Sequence, residues 1–435
     1  MSNKTTHLAR PVYVVDGART PFLKAKGKTG PFHAADLAVQ AGRALLSRMP
    51  FAPHEIDEVV MGCVMPGPNE ANIARVIALR LSCGITTPAW TVQRNCASGM
   101  QALDSAASNI ANGRAELVLT GGVEAMSHAP LLLNETMVNW MADLYGAKKP
   151  LDKLKVLTQL RAGHLKPIVG LLCGLTDPIN GLGMGQTAEI IAHRFNISRR
   201  EMDEYAVRSH HRLAHAQAQG WMDEIVPIYD KEGNVHLSDD GVRGDSSVEK
   251  LTKLKPVFDR HFGKVTAANS AQITDGATLL LLASAEAVEK YKLPVLGQIV
   301  DSHWAALEPS EMGLGPVHAM APIMQRQGLA LADVDYWEIN EAFAAQVLAC
   351  VEACKDERYC QQQLGLSAAL GEIASARLNV DGGGVSLGHP VGASGARIVL
   401  HLLHVLKRSN ARRGIASLCI GGGQGGAMLL EREVD

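Results

Sequence analysis

The 435-residue chain has few aromatic residues, little net charge and no long apolar run. Phe, Trp and Tyr make up 4% of it, and 42 Lys and Arg oppose 44 Asp and Glu, a net charge of −2. This balance excludes the electrostatic footprint of a nucleic-acid-binding protein. The richest apolar stretches, 167–175 and 277–283, are far shorter than the roughly 20 residues that cross a membrane. Residues 1–6 lack the apolar core and cleavage site of an export signal, so we expect a cytoplasmic protein.

Glycine and apolar residues are abundant. Apolar residues at 47% exclude a disordered chain, and the 42 glycines predict tight turns and close backbone contacts. The eight cysteines show no paired framework, which without an export signal predicts free thiols. Cys350, Cys354 and Cys360 lack the spacing of zinc ligands, so packing on a helix face is favoured and no metal site is predicted.

Predicted strands and helices alternate in two parts of the chain, which indicates an α/β fold in layers. The part between them, roughly 128–270, holds most of the charge and histidine. It shows one clear helix, which starts at the capping box of Ser198 and Glu201 and ends at Gly220. We therefore predict two βα-rich halves around an irregular insertion.

Cys96 lies where a predicted strand ends and a predicted helix begins. Free N–H groups and the positive dipole end of the helix favour a thiolate there, and hence a nucleophile. A buried structural cysteine is the alternative. Cys419 also follows a strand, and the glycines after it let backbone amides approach a developing oxyanion.

His389 stands between Gly388 and Pro390, just before a predicted helix. Such a fixed imidazole is a good general base, and a surface histidine in a turn is the alternative. On the following helix, His401 and His404 are interpreted as solvated or packed residues. The histidines at 210, 211 and 215 lie on the capped helix and either touch an anionic ligand or face solvent.

Two further motif matches fail. The pattern G-x-G-x-x-G at 421–426 leaves nine residues of chain, too few for a dinucleotide-binding βαβ unit. The pattern Gly-Val-Ser-Leu-Gly at 384–388 resembles a hydrolase nucleophile elbow. Its catalytic order is Ser, acid, His, but every acid after Ser386 lies beyond the last histidine, His404.

Four motifs together resemble the thiolase family from end to end, and specifically its degradative 3-ketoacyl-CoA thiolases. They are Asn-Cys-Ala-Ser-Gly at 95–99, Asn-Glu-Ala-Phe-Ala at 340–344, Gly-His-Pro-Val-Gly-Ala-Ser-Gly at 388–395 and Cys-Ile-Gly-Gly-Gly at 419–423. The resemblance implies a thiolase-like five-layer αβαβα fold of two similar halves plus an inserted loop domain. The implied division is 1–127, completed by about 271–292, for the N-terminal half, 128–270 for the loop domain over the substrate, and 293–435 for the C-terminal half.

The resemblance also implies the reaction and its residues. Cys96 would attack the 3-keto carbon, His389 would take the thiol proton, and Cys419 would protonate the departing acetyl-CoA enolate. One oxyanion hole would use His389 and a water held by Asn340, the other the amides of Cys96 and Gly421. Turnover would be ping-pong, with coenzyme A as co-substrate and neither another cofactor nor a metal.

Substrate contacts are implied for Met184, Met312, Ser270 and Phe343. Ala271 occupies the position of the serine that touches the pantetheine chain in the family. Gly183 occupies the position where short-chain members carry histidine, and it predicts room for acyl chains longer than acetoacetyl. An acetoacetyl-CoA thiolase working in the condensing direction is the alternative.

The resemblance further implies a homodimer or homotetramer. Basic and apolar residues in the segment 131–175 predict a surface for a hydratase/dehydrogenase subunit or for peripheral contact with a membrane, and a lid over the acyl tunnel is the alternative. Two other protein classes fit the sequence less well. Cys419 and its glycines argue against a decarboxylating ketoacyl synthase. The joint presence of Cys96, Asn340, His389 and Cys419 argues against a non-catalytic CoA- or lipid-binding protein.

Overall fold

The computed structural model describes residues 8–434, so the segment 1–6, where the sequence shows no export signal, lies outside the described residues. The strands are β1 (Val12–Arg19), β2 (Leu23–Lys24), β3 (Glu58–Gly62), β4 (Ala89–Val92), β5 (Leu117–Ala125), β6 (Leu131–Leu132), β7 (Ile168–Val169), β8 (Ile228–Tyr229), β9 (Val235–His236), β10 (Thr274–Ala283), β11 (Gly297–Ala306), β12 (Tyr336–Ile339), β13 (Arg413–Ile420) and β14 (Gln424–Glu431).

The α-helices are α1 (Ala34–Leu46), α2 (Ile73–Arg80), α3 (Ser98–Ala111), α4 (Glu135–Gly146), α5 (Pro150–Leu157), α6 (Gly170–Gly174), α7 (Met184–Arg194), α8 (Arg199–Ala218), α9 (Val248–Leu251), α10 (Ala285–Tyr291), α11 (Gly315–Gln327), α12 (Ala344–Lys355), α13 (Glu357–Leu364), α14 (Gly384–Leu387) and α15 (Val391–Arg408). Short 3₁₀ helices cover Pro53–Glu55, Met126–His128, Ala162–Leu165, Pro309–Leu314, Leu331–Asp333 and Ser375–Arg377.

The main sheet contains two runs of strands with the same plan. In the first run β3 is parallel to β5, and β10 is antiparallel to both β5 and β1. In the second, β12 is parallel to β13, and β14 is antiparallel to both β13 and β11. Antiparallel pairing of β1 with β11 joins the two runs. The repeated order and direction show two similar halves, which the sequence itself indicated only weakly.

Three large apolar cores lie against the two faces of the strands. Strand β10 shows why, because its successive leucines face opposite sides of the sheet: Leu279 packs in the core of α1 and α2, and Leu280 in the core of α3 and α15. The third core lies between α11, α12 and the second run of strands. Helices α3 and α15 therefore form the central layer, which confirms the five-layer α/β fold.

The prediction of one clear helix in the middle of the chain is wrong, because α4, α5 and α7 precede α8 there. Helices α4 and α5 bury none of their own residues. They therefore lack the apolar face against a core whose spacing usually identifies a helix in a sequence. Helix α8 has the predicted capping box of Ser198 and Glu201. No helix within residues 8–434 combines the length and apolar character needed to cross a bilayer.

Candidate active site

Cys96 lies in a tight turn between β4 and α3. Asn95 adopts a left-handed backbone conformation with φ of 43°. The Ser98 hydroxyl closes the turn, since it donates to the carbonyl oxygen of Asn95 at 2.7 Å and accepts the N–H of Arg94 at 2.9 Å. Helix α3 begins at Ser98, two residues later than predicted, so Cys96 precedes the helix instead of starting it.

The expectation of a Cys96 thiolate is wrong for this structure. Burial raises the pKa of the Cys96 thiol above its ordinary value, although a hydrogen bond from the backbone N–H of Gly421 opposes the shift. The carboxyl group of Glu124 raises it further. Desolvation therefore outweighs the helix terminus, and Cys96 needs a base to become a nucleophile.

His389 has the properties of such a base. Its Nδ1 lies 2.6 Å from the hydroxyl oxygen of Ser394, which donates its own proton to the carbonyl oxygen of Pro390 at 3.1 Å. Nδ1 must then carry the ring proton, and Nε2 keeps a free lone pair. Burial, with a contribution from Arg397, lowers the pKa of His389 to about 4, so the ring is neutral near pH 7. Nε2 is buried and has no hydrogen-bond partner among the described residues.

Asn340 follows β12 directly and is fully buried. Its backbone N–H donates to the carbonyl oxygen of Ser417 at 2.9 Å, which fixes the loop to β13. Within the described part of the chain, neither Oδ1 nor Nδ2 of its side chain has a partner. Buried amides are normally hydrogen-bonded, so this side chain is available to a water or a substrate oxygen.

Cys419 and Gly421 lie at the hairpin between β13 and β14. Burial raises the pKa of Cys419 well above its ordinary value, and the nearby Cys96 and Cys350 raise it further. Cys419 is therefore a protonated thiol that interacts electrostatically with Cys96. Gly422 and Gly423 have φ of 89° and 74°, conformations that glycine adopts without strain.

The proposed acyl-binding residues lie beside these thiols. Met312 and Phe343 share an apolar core with Cys419, and Met184 packs against that core. A Cβ on Gly421 would stand 3.2 Å from the sulfur of Met184, so Gly421 lets the methionine approach the hairpin. The ring of Phe258 packs edge-on against Phe343 with centroids 6.0 Å apart, a neighbour that the sequence did not reveal.

Ser270 lies in the same region, but its hydroxyl proton has a local partner. The hydroxyl donates to the carbonyl oxygen of Thr266 at 2.7 Å. The neighbouring Ala271 bonds through its N–H to the carbonyl oxygen of Ala342 at 2.9 Å, and the carbonyl of Gln272 accepts the N–H of His389 at 3.0 Å. The segment is thus tied to two of the four motifs, while Ser270 retains only its acceptor capacity.

Several other polar groups have structural partners. On α8, Nδ1 of His210 accepts the N–H of Arg243 at 3.1 Å, and Nε2 of His211 lies 2.9 Å from the carbonyl oxygen of Ser246. Cys350, Cys354 and Cys360 are buried free thiols, as expected for packing. Among residues 8–434, no group of three or more His, Cys, Asp or Glu side chains is placed to hold a metal ion.

Three residues with a place in the site were not predicted from the sequence: Ser394, Asn95 and Glu124. Ser394 lies five residues after His389 on the first turn of α15, where a hydroxyl next to a candidate base was a usable signal. Glu124 is a charged residue within a buried strand, which was another signal. Its carboxylate accepts the N–H groups of Val64, Met65 and Gly392.

Known proteins match the chain over almost its whole length. Residues 12–286 match the family described as "Thiolase, N-terminal domain" and residues 293–432 match "Thiolase, C-terminal domain". A protein of Yersinia pestis (strain Pestoides F) named 3-ketoacyl-CoA thiolase is 35% identical over 425 residues, which are 97% of this chain and 97% of that protein.

Solved structures agree with these matches. The acetyl-CoA acetyltransferase of Bacillus anthracis has a TM-score of 0.83 and 36% identity, and the alignment covers 98% of this chain and 100% of that one. The human mitochondrial 3-ketoacyl-CoA thiolase in complex with CoA has a TM-score of 0.83 and 35% identity, with 98% and 99% of the two chains covered. The chain belongs to the thiolase family of CoA-dependent acyltransferases.

Proposed function

We propose that the protein is a 3-ketoacyl-CoA thiolase, which uses CoA to cleave a 3-ketoacyl-CoA into acetyl-CoA and a shortened acyl-CoA. The observations that carry this proposal are two thiols kept protonated by burial, Cys96 and Cys419, which interact electrostatically, and the neutral imidazole of His389, whose buried Nε2 has no partner among the described residues. One thiol supplies the nucleophile and the other the acid that carbon–carbon cleavage requires. Relatives named 3-ketoacyl-CoA thiolase support the assignment.

In the first half-reaction, Nε2 of His389 takes the proton of Cys96 as the sulfur attacks the 3-keto carbon. The bond between C2 and C3 then breaks, the acyl group stays on Cys96 as a thioester, and Cys419 gives its proton to C2 of the acetyl-CoA enolate. In the second half, the thiol of a new CoA attacks the thioester and releases the shortened acyl-CoA. His389 returns its proton to the departing sulfur of Cys96, and the thiol proton of that CoA replaces the one that Cys419 gave up.

Four groups are proposed to stabilise negative oxygen during these steps. His389 and a water held by Asn340 would bind the oxygen of the enolate, because both side chains keep buried, unpartnered polar atoms within the described residues. The backbone N–H groups of Cys96 and Gly421 would bind the thioester oxygen. The hydrogen bond from Gly421 to the Cys96 sulfur supports the second assignment.

The substrate range is proposed from Gly183, at the start of α7. A Cβ there would make ordinary contacts with Oε1 of Gln186 at 3.5 Å and the carbonyl oxygen of Leu175 at 3.8 Å, so the missing side chain leaves space beside Met184 that a larger residue would fill. We propose that this space, with Met312 and Phe343, holds acyl chains longer than acetoacetyl. An acetoacetyl-CoA thiolase remains the second candidate, favoured by the likeness to the acetyl-CoA acetyltransferase of Bacillus anthracis.

The test is thiolysis of 3-ketoacyl-CoA substrates combined with trapping of the acyl-enzyme. The protein is incubated with acetyl-CoA, digested, and searched by mass spectrometry for the acetylated peptide. We expect acetyl on Cys96 and no turnover by Cys96→Ala. Acetyl on Cys419 alone, or full turnover by Cys96→Ala, would contradict the proposal.

We also propose a cytoplasmic homo-oligomer whose chain divides at about 127, 270 and 292, with residues 128–270 over the acyl site. The edge strand β4 supports oligomerisation, since among the described strands it pairs with β3 alone and edge strands readily extend a sheet into another chain. Ile85 and Trp90 expose apolar surface beside it. Light scattering would give the mass, and Ile85→Asp is expected to shift it towards the monomer.

A second surface is proposed for a partner. The hairpin of α4 and α5 is held together by a hydrogen bond from Trp140 to the carbonyl oxygen of Val156, at 2.9 Å, yet its apolar side chains are exposed. The exposed apolar residues include Leu131, Leu132, Leu133, Val138, Met141, Tyr145, Leu151 and Leu154. Lys148, Lys149 and Lys153 lie among them. We propose that this surface docks on an anionic lipid membrane, which attracts both kinds of side chain.

The double variant Lys148→Glu with Lys153→Glu tests the membrane proposal by flotation with anionic vesicles. Lys231→Glu with Lys253→Glu, at exposed positions outside the hairpin, is the matched control. Loss of flotation in the first variant alone supports a membrane surface. A protein partner would be indicated instead if neither the unmodified protein nor the first variant floats with vesicles, while the unmodified protein retains a hydratase/dehydrogenase subunit that the first variant loses. If neither association exists, the hairpin is a lid.

A further inference from the structure

The side chain of Asn95 connects two loops that come from different halves of the molecule. Its Nδ2 donates to the carbonyl oxygen of Gly421 at 2.9 Å. Asn95 immediately precedes Cys96, and Gly421 begins the hairpin that follows Cys419. The hydrogen bond therefore joins the turn of one thiol to the loop of the other.

The backbone around Asn95 is held without this side chain. The Asn95 carbonyl accepts both the hydroxyl and the N–H of Ser98, at 2.7 and 3.0 Å. The left-handed conformation of Asn95 is one that glycine adopts with less strain. A glycine at position 95 would adopt the conformation of this turn at least as easily. The turn therefore gives no reason for an amide side chain at this position.

The hairpin at 421–423, in contrast, needs external support. Its residues are three glycines, and Gly422 and Gly423 occupy the left-handed region, so the chain has unusual conformational freedom there. Two contacts restrain its carbonyls: Asn95 binds that of Gly421, and the N–H of Leu307 binds that of Gly423 at 2.8 Å. Asn95 is the restraint on the residue whose N–H bonds to the Cys96 sulfur.

We propose that Asn95 is a positioning residue: its side-chain amide fixes Gly421 so that the Gly421 N–H stays directed at the sulfur of Cys96. The same N–H would meet the thioester oxygen in the reaction, and this part of the inference rests on the proposed function. The hydrogen bond from the Gly421 N–H to the Cys96 sulfur is present without substrate, so the effect of Asn95 on the Cys96 thiol does not depend on the proposed function.

Two variants separate the side chain from the backbone. Asn95→Gly keeps the left-handed conformation and removes the amide. Asn95→Asp also tolerates that conformation, but it replaces the donor by a carboxylate facing the Gly421 carbonyl. Asn410 has nearly the same φ, 46°, and follows α15 on the exposed surface, so Asn410→Gly is the matched control for a left-handed asparagine.

The first readout is the pH dependence of Cys96 alkylation by iodoacetamide, followed on the Cys96 peptide by mass spectrometry. A weaker bond from Gly421 destabilises the thiolate, so the midpoint should move to higher pH in Asn95→Gly and further in Asn95→Asp. The second readout is thiolysis. We expect kcat to fall by about 10-fold or more in Asn95→Gly, since a loosened oxyanion donor acts mainly on the transition state, with a smaller change in KM.

Each outcome decides the inference. An unchanged alkylation midpoint in Asn95→Gly, or wild-type behaviour of Asn95→Asp, would overturn it, because the amide donor would then be dispensable. A shift of the same size in Asn410→Gly would attribute the effect to backbone freedom and would overturn it equally. If the unmodified protein shows no thiolysis, the proposed function fails, while the alkylation series still tests the role of Asn95 toward Cys96.

Discussion

The hydroxyl of Ser394 holds His389 in one tautomer. Its oxygen lies 2.6 Å from Nδ1 of the imidazole, and its proton goes to the carbonyl of Pro390. The hydroxyl has a single proton, so it acts as the acceptor toward Nδ1–H, and the lone pair of His389 is on Nε2. Helix α15 begins at Val391, and its first turn carries Ser394 to this position.

Ser394→Ala is expected to lower kcat while leaving the fold intact. Without the hydroxyl, Nδ1 is a buried polar atom without a partner, and the ring populates both tautomers and other orientations. A hydrogen bond of this kind contributes about 1 kcal/mol, and so we expect a fall of about 5-fold, largest in the rate of Cys96 acylation. Ser409→Ala, the same substitution just after α15, is the control. A wild-type acylation rate in Ser394→Ala would remove Ser394 from the mechanism.

Cys419→Ala should separate proton transfer from acylation. The variant keeps Cys96 and His389, so acetyl-CoA should still acetylate Cys96. Exchange of the α-protons of acetyl-CoA with deuterated water should fall by about 10²- to 10⁴-fold, the usual range for loss of a general acid or base. Cys354→Ala, which removes another buried thiol of the same core, should exchange normally. Normal exchange in Cys419→Ala would assign the acid to another group.

The ion pairs of His401 lead us to expect that the protein loses stability at alkaline pH. Its ring is buried between Glu224, 3.0 Å from Nδ1, and Asp381, 3.2 Å from Nε2. Burial alone would lower the pKa of His401, but the two carboxylates outweigh it and raise the pKa to about 10. The protonated ring thus stabilises the fold fully below about pH 6.5, the unfolded value, and this contribution is lost as the pH rises towards 10.

The measurement is chemical denaturation between pH 6 and pH 10. The free energy of unfolding should include a term that falls by about 1.4 kcal/mol per pH unit between these two pKa values. His401→Gln should abolish that slope and lower stability at pH 6 by about 3 kcal/mol, because the carboxylates remain buried without their cation. His404→Gln is the control. Burial lowers the pKa of His404, so its titration does not change the free energy of unfolding above pH 7. An identical slope in wild type and His401→Gln would show that other groups cause it.

The sequence predicted the layers and the four motif loops better than the contacts between them. Strand and helix signals are local, so the alternating halves, the capped start of α8 and, within two residues, the start of α3 could be predicted. The pKa of Cys96 could not be predicted, because it depends on burial by residues remote in the chain and on an N–H from Gly421. For the same reason His401, interpreted as solvated or packed, is an ion-pair centre: Glu224 and Asp381 reach it from distant segments.

Gly183→His should restrict the substrates of the enzyme to those with short acyl chains. Gly183 has φ of −68° and ψ of 150°, which any residue adopts, and a Cβ there meets Gln186 and Leu175 at ordinary contact distances, so the variant should fold. The imidazole would project beside Met184, where it would displace the distal part of a longer chain. Since each buried methylene contributes about 0.8 kcal/mol, kcat/KM should fall more steeply with every two carbons added to the substrate, and should change little for acetoacetyl-CoA. Gly183→Ala, which adds one methyl group, should keep the long-chain activity. If the unmodified protein already loses activity beyond the four-carbon substrate, the protein is an acetoacetyl-CoA thiolase and the space at Gly183 does not hold the acyl chain.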